Sequence, residues 1–137
     1  MKKIIWLKLR IVMGLIFLWA FVDKTFGLGF STTAEKAWVN GGSPTYGFLT
    51  NATRGPFEEF FKGLAGIVAV DWLFMIGLLF VGVTLIINRF VVWGAIAGMA
   101  MLLLMYLAVF PPENNPILDD HIVYILVLAL IATKSRG

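Results

Sequence analysis

The sequence predicts an all-α integral membrane protein, a four-helix transmembrane bundle with an outer loop that carries a short amphipathic helix. Three observations lead there. Hydrophobic residues make up 60% of the chain and charged residues only 14%, where a soluble domain is nearer about 25% charged. The mean hydropathy is +0.90. Long apolar runs recur, and about twenty such residues cross the hydrocarbon of a bilayer. The 137 residues suit one domain, 1–137.

The first span is expected over about residues 4–26. Lys2 and Lys3 precede an apolar run from Ile4 to Val22, and Asp23-Lys24 closes it. No small-x-small cleavage pattern follows, so a retained helix is expected rather than a removed signal peptide. Lys8 can snorkel to the headgroups. Arg10 lies deeper, and a cation there must reach lipid phosphate or face the bundle.

Residues 27–71 form the outer loop. Gly41-Gly42-Ser43-Pro44-Thr45 is turn chemistry. Trp38, Tyr46 and Phe48 argue for a segment that packs on itself or lies at the interface. Residues 57–69 read as the amphipathic helix. Phe57, Phe60, Phe61, Leu64 and Val68 share one side, and Glu58, Glu59 and Lys62 the other. Asp71 is the expected cap of the second span, with Trp72 its interface anchor.

That second span is expected over 72–87, the third over 90–110 and the fourth over 116–133. Asn88-Arg89 turns between the second and third. Gly94 and Gly98, with Gly77 and Gly82, fit close helix packing. Pro111-Pro112 ends the third span. Asn115 is a natural N-cap for the fourth, and Pro116 suits its first helical position. Asp119 and Asp120 then meet the positive end of the helix dipole.

Charge sets the expected topology. Four spans put both termini and the Asn88-Arg89 turn on one side, with Lys2, Lys3, Lys8, Arg10, Arg89, Lys134 and Arg136 and no carboxylate. All the acidic residues fall on the other side. The positive-inside rule places both termini in the cytoplasm of a cell that keeps this protein in its inner membrane.

Chemistry is thereby confined to the outer face. The absence of cysteine removes disulfides, iron–sulfur clusters and covalent c-type haem. One histidine cannot supply bis-histidine haem ligation, and no basic run supports nucleic-acid binding. His121 is the strongest candidate, because its unperturbed pKa lies near working pH. Asp120 is expected to orient it, with Tyr124 on the same helical face. Helices one and four are expected to be neighbours, bringing Asp23 and Lys24 to Asp120 and His121. Lys24 or Arg54 would bind an anion or a quinone carbonyl, and Trp38 would complete the binding set. His121 with Asp119, Asp120 or Asp23 is a thin ligand set for a metal, and no metal is expected. The alternative to a redox site is a set of interfacial ion pairs in a non-catalytic scaffold or assembly subunit.

Several stretches, in order and spread over nearly the whole chain, carry a family resemblance. They are Arg10 to Gly14, Phe17 to Gly27, Trp38 to Thr45 with Gly47 to Leu49, Leu73 to Leu79, and Asn115 to Tyr124. In these the chain resembles the DoxX/DoxD-like family of small four-helix membrane proteins. The resemblance implies a membrane subunit of a quinone-linked oxidoreductase. The DoxD relative serves an archaeal thiosulfate:quinone oxidoreductase together with a DoxA subunit, and other members look like parts of complexes that handle oxidative stress. A DoxA-like or other membrane subunit, or a second copy of the chain, is the implied partner. Quinone is the implied electron acceptor. The chain carries no DoxA-like extension, and the resemblance assigns no catalytic residue.

Overall fold

The computed structural model describes residues 1–112, 115 and 117–136, and all regular structure among them is helical. Helix α1 spans Lys2–Phe26. Gly27 ends it in the left-handed region (φ 67°), with its N–H on the Asp23 carbonyl at 2.7 Å, a stop that suits glycine. Short 3-10 and π turns fill the loop to α2, Glu58–Lys62. Helix α3 spans Val68–Ile87, α4 Val91–Val109 and α5 Asp120–Arg136. Asn88 and Phe90, both at positive φ, reverse the chain between α3 and α4.

Helices α1, α3 and α4 are long and apolar enough to cross a membrane by length and composition. Their outward surfaces agree: Ile4, Trp19, Leu73, Trp93 and Leu104 are all exposed, a density of apolar side chains that water would not tolerate. The chain therefore suits a lipid bilayer. The expected fourth span differs. Helix α5 has 17 residues, about 25 Å at 1.5 Å per residue, against a hydrocarbon core of about 30 Å. It falls short because its first turn is not helical: residues 117–119 precede it.

The helices pack in sequence, α1 on α3, α3 on α4 and α4 on α5, with only a minor contact between α1 and α5. The expected neighbourhood of first and last helices is thus nearly absent. All four long helices still feed one core, including Met13 and Phe17 of α1, Met75 and Leu85 of α3, Ala95 and Leu102 of α4, and Leu128 and Ile131 of α5. Small residues set the spacing. A Cβ on Gly98 would lie 2.8 Å from Leu128 Cδ1, and one on Gly94 would run into the Thr84 hydroxyl. The glycines of α4 are packing surfaces, as their spacing suggests.

Arg10 resolves its own placement. Its guanidinium donates to the carbonyls of Leu85 and, at 3.4 Å, Ile86. Those are last-turn carbonyls of α3, which lack helical partners and carry the negative end of the dipole. Arg10 therefore faces a neighbouring helix and closes its end.

The amphipathic helix expected over 57–69 is a single turn, Glu58–Lys62. Gly63 follows it as a cap and Gly66 takes φ 85°, so the backbone leaves the helix before Val68. Phe61 is buried and Leu64 packs with it on Leu49 and Ala108, while Phe57, Phe60 and Val68 stay exposed.

Candidate functional site

The loop end of the molecule contains two kinds of polar site. The first is structural. Asp23 is buried and accepts from the backbone N–H groups of Phe30 (3.3 Å) and Ser31 (2.8 Å) and from the Ser31 hydroxyl (2.6 Å). It holds the start of the loop onto the end of α1. Asp71, also buried, accepts from the hydroxyls of Ser43 (2.7 Å) and Thr45 (2.5 Å). It sits inside the first turn of α3, whose N-cap is Ile67, so the cap expected of Asp71 is instead a clasp on the Ser43–Thr45 turn. Trp38 meets Trp72 edge-on, ring centroids 4.8 Å apart, and packs against the main core. These contacts make the long loop an ordered cover.

The second site is a cleft of about 610 Å³ beside the start of α5. Its polar wall is Asn51, Thr53, Arg54, Asp119, Asp120 and His121, and its apolar wall is Ala52, Val109, Pro112 and Leu118. Backbone chemistry positions both sides. Arg54 N–H donates to the Ala108 carbonyl at 2.9 Å, laying the loop on the end of α4. Gly55, at φ 78°, then presses so closely on the Phe110 carbonyl that no Cβ fits. On the other side, Asn115 Oδ1 accepts from Ile117 N (2.9 Å) and Leu118 N (2.8 Å). Asn115 therefore caps a turn before the helix, and Pro116 lies outside the described residues. The α5 cap is Asp119, whose Oδ1 accepts from His121 N–H at 2.9 Å.

Asp119 does a second job. Its Oδ2 lies 2.8 Å from His121 Nδ1. The residue expected to orient His121 was Asp120, but an N-cap reaches back over the second helical residue while the first helical residue points away. Asp120 is exposed and makes no side-chain hydrogen bond among the described residues. With a carboxylate on Nδ1, the neutral imidazole holds its proton there and its lone pair on Nε2. Nε2 has no hydrogen-bond partner among the described residues.

Tyr106, which sequence reasoning passed over, supports the same corner. Its hydroxyl donates to the Ile117 carbonyl at 2.5 Å and its ring meets that of His121 at 6.5 Å. A lone tyrosine near the end of an aliphatic helix was the available signal. Of the other candidates, Arg54 lines the cleft; Asp23, Lys24, Trp38 and Tyr124 do not. Tyr124 packs on the main core, and Lys24 lines a separate apolar cavity. Asp23 and Lys24 stand at the end of α1, which hardly meets α5, and this separates them from the histidine. Among the described residues no three His, Asp or Glu side chains are grouped to hold a metal ion.

The arrangement can bind a small polar or anionic group near Arg54 and exchange a proton through Nε2. No protein-family model, curated protein or solved structure matches this chain.

Proposed function

We propose that the chain is the membrane subunit of a quinone-linked oxidoreductase whose proton-handling residue is His121. The observation that carries this reading is the Asp119–His121 pair at 2.8 Å in the wall of an open cleft. Reduction of a quinone to a quinol consumes two electrons and two protons. Oxidation of two thiosulfates to tetrathionate supplies the electrons, and thiosulfate is the donor that the resemblance to the DoxX/DoxD-like family suggests. The cleft fits such chemistry: Val109, Pro112 and Leu118 offer an apolar wall to a ring, and His121 Nε2, an acceptor while the ring is neutral, becomes a donor to a carbonyl oxygen once it is protonated, with Arg54 in the same wall. Asp119 fixes the imidazole so that Nε2 handles the proton, the role a general acid–base needs. The finer placement belongs to the same proposal. In it, helix α5, packed along α4 into the shared core, crosses as a short span at the lower end of the length that a bilayer needs, and both termini lie in the cytoplasm of the inner membrane.

The test is thiosulfate-dependent reduction of a soluble quinone analogue by membranes containing the protein and its partners, beside His121→Ala. A fall of at least a hundredfold in the variant is expected. Activity that survives the substitution overturns the role of His121. Because the chain has no cysteine, single cysteines at Lys2 and Lys134 report topology. Both should resist an impermeant maleimide in intact cells; labelling of only one rejects the four-span arrangement, and labelling of both rejects cytoplasmic termini.

A second reading rests on Asp23 and Asp71. Asp23 holds the loop through both oxygens and Asp71 through Oδ1, which suits an assembly subunit whose ordered outer cover meets another chain.

A further inference from the structure

A cavity of about 390 Å³ lies between α3, α4 and the loop. Phe48, Leu73, Met101, Leu104 and Met105 give it an apolar lining, and Lys24 and Thr45 are its polar lining residues. Two of its lining residues, Leu73 and Leu104, are 76% and 54% exposed on the outer surfaces of α3 and α4. The cavity therefore opens sideways, on the apolar flank of helices that suit a bilayer, and not toward the polar wall around His121.

Lys24 is half-buried there and has neither a hydrogen bond nor an ion pair among the described residues. Its neighbour Asp23 supplies an opposite charge nearby but forms no ion pair with it, and its oxygens also serve Phe30 and Ser31. A cation held against an apolar wall, with only a shared and unpaired counter-charge nearby, is costly. An oxyanion would remove that cost.

We propose that this cavity binds a long-chain carboxylate, its acyl chain between α3 and α4 and its head group on Lys24. The match is one to one: a single cationic side chain in the lining, a single apolar slot, and a ligand with one charge and one chain. Two methionines in the lining, Met101 and Met105, suit a flexible chain, because their unbranched side chains adapt to irregular shapes. The proposal stands apart from the chemistry assigned to His121, and either can fail alone.

Photolabelling of the full chain in phosphatidylcholine vesicles tests it. The probes are a diazirine-bearing long-chain carboxylate and the alcohol of the same chain, with labelled peptides mapped by mass spectrometry. The carboxylate is expected to label residues 73–74 and 101–105 at least tenfold more than the alcohol does. Lys24→Gln should abolish that preference, Lys24→Arg should keep it, and Lys62→Gln, which breaks an exposed pair with Glu58, should leave it unchanged. Equal labelling by the two probes in the unaltered protein overturns the proposal without reference to any variant. So does labelling that follows general lipid exposure, for example equal yield at Leu79 and Ile96. Displacement of the probe by a quinone analogue but not by unlabelled carboxylate would reassign the cavity to a quinone.

Discussion

The carboxylates at the loop end divide by what they hold. Asp23 and Asp71 are buried and accept only from loop donors, Asp23 through both oxygens and Asp71 through Oδ1. Asp119 is only half-buried and spends one oxygen on a backbone N–H and the other on an imidazole. The first arrangement freezes a cover. The second fixes the tautomer and direction of a ring whose remaining nitrogen faces no protein partner among the described residues. Residue type alone does not separate the two; the identity of the donors does.

The largest expected effect comes from breaking a clasp. Asp23→Ala removes three accepted hydrogen bonds and leaves the Ser31 N–H and hydroxyl without an acceptor. Bonds to charged groups contribute about 1.5–3 kcal/mol each and are not additive, so a net loss of about 3 kcal/mol is expected. Thermal unfolding in detergent should show a clearly lower Tm, with new proteolysis near residues 27–33. The quinone-reductase readout of the folded fraction should not change. A variant that keeps its Tm but loses activity would move Asp23 from the cover to the chemistry.

The long apolar helices were legible because a run of about twenty apolar residues has few alternatives in water or lipid. The packing role of Gly94 and Gly98 was legible for a similar reason, since small residues four apart on such a helix serve close contact. What failed was local competition and long-range adjacency. The pattern at 57–69 is helical by periodicity, but Gly63 and Gly66 end the helix after one turn. Asn115 and Asp119 are both good caps, and only their hydrogen bonds show that the later one starts α5. That shift moved the orienting carboxylate from Asp120 to Asp119. The separation of Lys24 from His121 depends on which helices touch, which no short window of sequence encodes.

A middle-sized effect should come from the support beneath the histidine. Tyr106→Phe deletes the hydroxyl that donates to the Ile117 carbonyl and keeps the ring beside His121. One such bond contributes about 1 kcal/mol. Chemical unfolding should register that loss, and activity should fall by a small factor because the turn before α5 loosens. If stability is unchanged, the turn is held by Asn115 alone.

The smallest effect on stability should accompany one of the clearest effects on function, at Asp119. Asparagine caps a helix about as well as aspartate, whereas alanine costs about 0.5–2 kcal/mol. Asp119→Asn should therefore leave the unfolding midpoint within a few tenths of a kcal/mol, while Asp119→Ala lowers it measurably. The amide keeps an acceptor for the His121 N–H but takes away the negative charge that stabilises a protonated ring. An asparagine variant with native stability and at least tenfold lower activity would show that the carboxylate serves the imidazole and not merely the helix. Native activity in the same variant would reduce Asp119 to a cap and place it with Asp23 and Asp71 among the groups that only hold the fold together.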